Sequence, residues 1–213
     1  MAFFYNRFKM QAERKQIKGE DFIKKILAGE RDFYGIELEY NFDLSGHELF
    51  GKMQDYLKQQ YLSKYPIMIN NSDLSGVKAP RLYLPYVQIE SSVVWNANLE
   101  HSTLSFANLR NTDFIYTDLR HAELDHADLQ NTNLQYVNLK QANLYFADLR
   151  NANLEVAQLL GTNLVLADLR NARNLEKTYN LRCATFGETR VTRREETIIT
   201  SASDYGSMLE VEG

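Results

Sequence analysis

The 213-residue sequence has one cysteine, no long hydrophobic run and no large excess of either charge. A single cysteine, Cys183, excludes a disulfide within the chain and suits a reducing compartment. No run approaches the ~18 apolar residues that a membrane-spanning helix requires, and a net charge of −4 indicates neither a nucleic-acid nor a membrane partner. Residues 1–16 contain too few apolar side chains before Arg7 and Lys9 to form a secretory signal. We therefore expect a cytoplasmic protein.

The sequence has, instead, a repeat of five residues. Its central position holds leucine in fourteen of fifteen consecutive repeats and phenylalanine in the other: Leu99, Leu104, Leu109, Phe114, Leu119, Leu124, Leu129, Leu134, Leu139, Leu144, Leu149, Leu154, Leu159, Leu164 and Leu169. Two residues before each stands a small or β-branched residue, and the residue between is mostly Asn or Asp.

A period of five fits neither a helix nor a flat strand, because both would scatter the leucines over opposite surfaces. A square coil with five residues per side keeps them together. It turns the central residue and the small residue inward, and it stacks 20-residue turns at about 4.8 Å. The same phase continues more weakly back to residue 72, so residues 72–171 predict about five turns and a length of roughly 24 Å.

This pattern resembles that of the pentapeptide-repeat family, whose motif is A-(D/N)-L-x-x. The resemblance implies a mainly β fold, the right-handed quadrilateral parallel β-helix, over residues 71–171. The flanking segments add helices to this fold, and we expect the whole chain to form one structural domain.

The N-terminal flank predicts two helices and one ragged turn. Residues 1–30 form a helical cap, with an amphipathic helix at 19–28. Residues 31–70 contain a ragged first turn at 31–46 and a helical insert at 46–64, which begins at a capping box, Ser45 to Glu48, and ends before Pro66. Such helices either cover the open end of the β-helix or bind a partner.

At the C-terminal flank the repeat breaks, because Asn174 occupies a leucine position. Residues 172–194 predict a C-terminal cap that contains a short helix and a closing half-turn. The polar residues 195–213 predict a mobile tail.

Residues 20 apart stack in columns, so each face of the coil can be deduced from the sequence. One face carries an acidic or amide column, a largely basic column and an asparagine column, Asn111, Asn131, Asn151 and Asn171. This face is either a binding strip or a structural ladder of hydrogen bonds and charge pairs between turns.

Apolar side chains also form outward-facing columns, which predict an interaction surface. Its residues are Trp95, Phe106, Ile115, Tyr116, Tyr136, Tyr145, Phe146 and Val156. Near the last full turn Leu160, Val165 and Leu166 predict a homodimer contact, with coverage by the C-terminal segment as the alternative.

The sequence shows no Ser-His-Asp set, phosphate-binding glycine loop or cysteine cluster. A rod filled by its own side chains also lacks the concave pocket that catalysis needs, so we expect no enzymatic activity and no cofactor. His101 and His121 should stack within about 5 Å. A metal site needs three or four ligands, and the sequence gives the nearby Glu100 and Asp125 no set geometry, so we predict no metal site.

Two functions follow from this interpretation. The first is a protein-interaction module or scaffold for an unidentified protein partner, without direct nucleic-acid binding. The second comes from the resemblance, because some pentapeptide-repeat proteins mimic duplex DNA, bind DNA gyrase or topoisomerase IV and protect against quinolones. Residues 71–170 hold eleven acidic and seven basic residues, whereas ~24 Å of duplex carries about fourteen negative charges. The charge therefore favours the scaffold.

Overall fold

The computed structural model describes residues 14–193 and 196–200. Its main body is a stack of four-sided coils, in which parallel bridges join residues 20 apart, such as Asn108 to Asp128 and Asp128 to Asp148. The Leu109 N–H donates to the Asp128 carbonyl of the next coil at 2.8 Å, and the Asp128 N–H donates back to the Ala107 carbonyl at 2.9 Å. The predicted quadrilateral parallel β-helix with added helices is confirmed.

The interior of the coil is built as the repeat predicts. The central leucines and the small residues two positions before them are buried in one continuous core. Where the small residue is threonine, its hydroxyl donates to a backbone carbonyl, as Thr117 Oγ1 does to the Val94 oxygen at 2.6 Å. A buried hydroxyl would be costly without such a partner, so threonine can alternate with alanine at this position.

Each corner of the coil depends on the Asn or Asp that precedes the central leucine. The Asp128 carboxylate accepts a hydrogen bond from the Gln130 N–H at 3.1 Å, and the Asp148 carboxylate accepts one from the Arg150 N–H at 3.1 Å. The second residue after the leucine then adopts a left-handed conformation, with φ of 57° at Asn131. Asparagine tolerates this conformation better than most residues.

The coil extends beyond residues 71–171 at both ends, through the turn predicted at 31–46 and the half-turn predicted within 172–194. One column of bridges contains eight residues: Asp32, Met68, Gln88, Asn108, Asp128, Asp148, Asp168 and Arg190. Seven rises of about 4.8 Å give a length of about 34 Å.

The first coil has three β sides and one helical side. Asp32, Glu37 and Asp43 form bridges to the coil above, and helix α2 (Phe50–Lys58) lies beside the fourth side. There Gln54 Oε1 accepts a hydrogen bond from the Tyr83 N–H at 2.6 Å.

Helix α2 is shorter than the predicted 46–64, and the predicted capping box does not form. The Ser45 hydroxyl donates to Asp43 Oδ1 at 2.8 Å, so this serine completes a corner of the coil instead of capping a helix. The helix therefore begins at Phe50 without a side-chain cap, and it ends well before Pro66.

The N-terminal segment, predicted as a helical cap over residues 1–30, contains a strand before the predicted helix. Strand β1 (Lys15–Ile17) pairs in parallel with β2 (Ile36–Leu38) and adds one more layer to that side. Helix α1 (Gly19–Leu27) follows, and residues 1–13 lie outside the described residues.

The two helices cover the N-terminal end of the core. Ile23 and Ile26 of α1 are buried, as are Met53 and Leu57 of α2, and all four belong to the same apolar cluster as the leucines of the coil. This packing supports the capping role over partner binding for these apolar faces.

At the C-terminal end the coil is interrupted by two 3₁₀ turns, Leu175–Lys177 and Leu181–Cys183. The interruption adds two residues, since Asn163 pairs with Thr185, 22 positions later. The coil then closes: β3 (Asp168–Leu169) pairs with β4 (Thr189–Arg193), which pairs antiparallel with β5 (Glu196–Thr200).

The prediction of a mobile tail from residue 195 is therefore wrong for residues 196–200. Their backbone forms strand β5, which hydrogen-bonds to β4 and covers the open edge of the coil. Residues 201–213 lie outside the described residues. Across the described chain, each helix is too short or too polar to cross a membrane.

Candidate interaction surface

The apolar residues predicted to face outward lie at two corners of the coil. At the first corner Tyr116 and Tyr136 stack with their ring centroids 4.8 Å apart. Val156 continues the column of these tyrosines, Trp95 and Ile115 lie in the adjacent column, and all three are half-buried. We refer to Tyr116 and Tyr136 as the tyrosine pair.

The second corner carries a longer stack, which we call the aromatic corner: Tyr86, Phe106, His126 and Phe146. Successive ring centroids are 5.0, 4.6 and 5.2 Å apart, and the interplanar angles are 10°, 14° and 22°. All four residues occupy the left-handed position of a corner, with φ between 58° and 62°. Because consecutive coils repeat this backbone, the rings point in the same direction and stack.

The aromatic corner is exposed from Phe106 to Phe146, whereas Tyr86 is half-buried against the core. Phe106 is 44% exposed and Phe146 is 54% exposed. Tyr145 lies beside Phe146, with the ring centroids 6.2 Å apart, and widens the apolar surface. Large, rigid aromatic side chains lose little conformational entropy on binding and are enriched at protein interfaces.

Two members of this stack were missed in the sequence. Tyr86 stands 20 residues before Phe106, and His126 stands 20 residues after it. The 20-residue spacing is sufficient to identify both, but an apolar pattern does not include histidine, whose ring can stack on a phenylalanine.

The predicted homodimer residues are not equally accessible. The Leu166 N–H donates to the Gly187 carbonyl at 2.8 Å, Gly187 also lies beside the Val165 side chain, and both Val165 and Leu166 are half-buried. Leu160 remains 42% exposed. Coverage accounts for Val165 and Leu166, and the homodimer stays a prediction that now depends on Leu160.

The face with the asparagine column is dominated by charge pairs within each repeat. Arg150 Nη2 lies 2.6 Å from Asp148 Oδ2, and Arg170 Nη2 lies 2.6 Å from Asp168 Oδ2. Arg110 instead pairs with Asp128 of the next coil, at 3.2 Å. These pairs neutralise the basic column, which supports the structural ladder.

A groove of about 680 Å³, lined mostly by polar residues, runs beside this face. Its rim is the asparagine column, Asn111, Asn131, Asn151 and Asn171, and Asn133 and Asn153 line it from the next side. The asparagine side chains that line this groove are therefore still candidates for a binding strip, whereas the neighbouring charged side chains pair with each other.

We predict that Asp168 makes the fold sensitive to acid. Burial raises the pKa of this carboxyl group, but the hydrogen bonds from Arg170 and the charges of Arg170 and Arg150 outweigh burial and lower it. A carboxylate whose pKa is lowered on folding stabilises the protein above the unfolded pKa of about 3.9, and this stabilisation is lost as the pH falls through the folded value.

The test is Asp168→Asn, which can still accept the Arg170 N–H but carries no charge. We expect the free energy of unfolding to fall by roughly 1 kcal/mol at pH 7 and the difference from the parent to disappear in strong acid. Chemical denaturation at several pH values measures both. A difference that is constant with pH would mean that the charge of Asp168 has no such role.

The comparisons with known proteins bear on the fold. The family model described as pentapeptide repeats matches in eight copies, over residues 96–131, 122–157 and 147–178. No curated protein matches the sequence at a significant level.

Several solved structures are similar. A trypsin-treated variant of QnrB1, a plasmid-mediated fluoroquinolone resistance protein, has a TM-score of 0.52 at 13% identity, over 84% of this chain and 81% of that one. HetL from the cyanobacterium Nostoc sp. strain PCC 7120, a pentapeptide repeat protein involved in heterocyst differentiation regulation, has a TM-score of 0.48 at 22% identity, over 81% of this chain and 68% of that one.

At this level of identity the likeness concerns the fold alone. The repeat in the sequence, the stacked coil and the family model agree: residues 96–178 belong to the pentapeptide-repeat family, and the chain has the right-handed quadrilateral β-helix of that family.

Proposed function

We propose that this chain is a non-catalytic protein-interaction module, a rigid scaffold that binds a partner protein through the aromatic corner. The observation that supports this function is the unbroken stack of Tyr86, Phe106, His126 and Phe146 on the outside of the coil. Scattered apolar residues are normal on a protein surface, whereas a contiguous exposed stack is typical of an interaction site.

The backbone under the aromatic corner is held on every coil. The N–H groups of Phe106, His126 and Phe146 donate to carbonyls of the following coil at 2.9, 2.9 and 3.0 Å. The rings therefore stand in fixed positions before a partner arrives, and little ordering entropy is lost on binding. A partner with a complementary apolar groove would bury the rings together.

The experiment that tests the proposal removes the rings without changing the corner backbone. Asparagine occupies the equivalent left-handed position in the column from Asn111 to Asn171, so the double variant Phe106→Asn/Phe146→Asn should keep the fold. We expect affinity purification of the parent to recover a specific partner and the double variant to lose at least 90% of it, since losing two central aromatic residues costs about 2 kcal/mol or more each.

The matched control is Tyr116→Asn/Tyr136→Asn, which alters the tyrosine pair at a different corner. This variant should retain the partner. Equal loss in both double variants, or full retention in both, would contradict the role of the aromatic corner.

The alternative function is binding of DNA gyrase or topoisomerase IV, which the family resemblance implies. The likeness to QnrB1 supports only the fold. Mimicry of duplex DNA requires unpaired negative charge, but here Asp148 and Asp168 are paired with Arg150 and Arg170. A change in gyrase supercoiling or quinolone sensitivity at micromolar protein would replace the scaffold proposal with this alternative.

Two further properties belong to the proposal. The exposed thiol of Cys183 suits a reducing compartment, which supports the cytoplasm. The exposed Leu160 supports a homodimer through the C-terminal end.

A further inference from the structure

The corner that carries His101 and His121 brings three metal-binding side chains together. The two imidazole rings stack with their centroids 4.4 Å apart and an interplanar angle of 8°, so the predicted stacking is confirmed. Glu100 Oε1 lies 3.8 Å from His101 Nε2. One ligand atom from each of the three residues lies within 4.8 Å of the others.

The backbone fixes this cluster. His101 and His121 have φ of 59° and 57°, and their N–H groups donate to carbonyls of the following coil at 2.8 and 3.0 Å. Ligand atoms around a tetrahedral ion with bonds of about 2.1 Å are about 3.4 Å apart. The ligand atoms must therefore approach each other by about 1.4 Å, and the stacked rings must tilt so that their in-plane lone pairs converge on one ion. The exposed position of His101 leaves space for this movement.

Glu100 is oriented by a neighbour on the same face. Arg120 Nη2 donates to Glu100 Oε2 at 3.0 Å, which leaves Glu100 Oε1 on the side of the imidazoles. The positive charge of Arg120 is itself balanced by Asp118, whose Oδ2 lies 2.7 Å from the same nitrogen. Partners that orient a ligand in this way are common around metal sites.

We propose that Glu100, His101 and His121 form a surface site for one divalent transition-metal ion, with water in the remaining coordination positions. Two imidazole nitrogens and one carboxylate oxygen suit Zn²⁺, Ni²⁺ or Cu²⁺, whereas Ca²⁺ and Mg²⁺ favour sets of oxygen ligands. The sequence did not indicate this site, because it left the position of Glu100 open.

The test uses the full chain and Zn²⁺ or Ni²⁺ alone, titrated against a chromophoric chelator. We expect the parent to bind one ion, and His101→Asn and His121→Asn each to weaken binding at least tenfold. Glu100→Gln should weaken binding several-fold. Asparagine at these two positions matches the corner residues of the asparagine column, so the melting temperature should change little.

His126→Asn is the matched control, because it changes a histidine at an equivalent left-handed corner position outside the cluster. We expect it to bind the metal as the parent does. The proposal is overturned if the parent binds no more tightly than His121→Asn, or if His126→Asn weakens binding equally. It is also overturned if Cys183→Ser removes binding, since the exposed thiol would then be the ligand.

Discussion

Replacing Phe114 with alanine should lower the free energy of unfolding by about 4 kcal/mol. Phe114 is 1% exposed and is the largest of the fully buried side chains. Its column neighbours, Val94 and Leu134, stand on coils tied by backbone hydrogen bonds, such as Phe114 N–H to the Asn133 carbonyl at 2.9 Å. The coils cannot approach each other to fill the space, so a cavity remains.

Phe114→Leu is the control for this prediction. Leucine fills the central position of the other fourteen repeats, so the coil accepts its shape and we expect a cost of only about 1 kcal/mol. Urea denaturation followed by circular dichroism measures both variants. If alanine costs no more than leucine, the coil contracts around the smaller side chain and the cavity argument is wrong.

The repeat predicts the core and the columns because its period fixes both direction and stacking. The inward-facing leucines follow from the spacing of five, and the stack of Phe106 on His126 follows from the spacing of 20. The direction of the leucines and the stacking of the columns depend only on the backbone conformation, which is the same in successive coils.

Contacts between the regular coil and the irregular flanks could not be predicted in this way. The helical insert begins at Phe50 because Ser45 is held by Asp43, and both a capping box and a coil corner use the same residue types. The sequence of strand β5 does not follow the five-residue repeat, so the repeat could not predict it. The position of Glu100 beside His101 depends on the side-chain conformation that Arg120 imposes.

Gly76 lies against Tyr40 and Asn41 of the N-terminal flank, where a larger residue would clash. We expect Gly76→Ala to lower the free energy of unfolding by about 3 kcal/mol. Gly76 has φ of +71°, and a Cβ added there would lie 2.5 Å from Asn41 Oδ1, 2.8 Å from Tyr40 Cε2 and 3.1 Å from the Asn41 backbone nitrogen. The side chain of Tyr40 passes over this glycine and stacks on Trp95, with the ring centroids 6.4 Å apart. The added methyl group must push aside the Asn41 and Tyr40 side chains and also press on the Asn41 backbone of the first coil.

Gly161→Ala separates this steric effect from backbone strain. Gly161 has nearly the same φ, +69°, but an added Cβ would come close only to the Gln141 side chain, at 3.2 Å, and would meet the Gln141 backbone at ordinary contact distances of 3.9 and 4.0 Å. Its cost should therefore be that of the left-handed backbone alone, about 1 kcal/mol. Trp95 is the only tryptophan, so its fluorescence should change in Gly76→Ala, as Tyr40 moves away, and stay constant in Gly161→Ala. If both variants lose the same free energy of unfolding and neither changes the fluorescence, the close contact of Gly76 with Tyr40 and Asn41 has no effect on stability and the prediction is wrong.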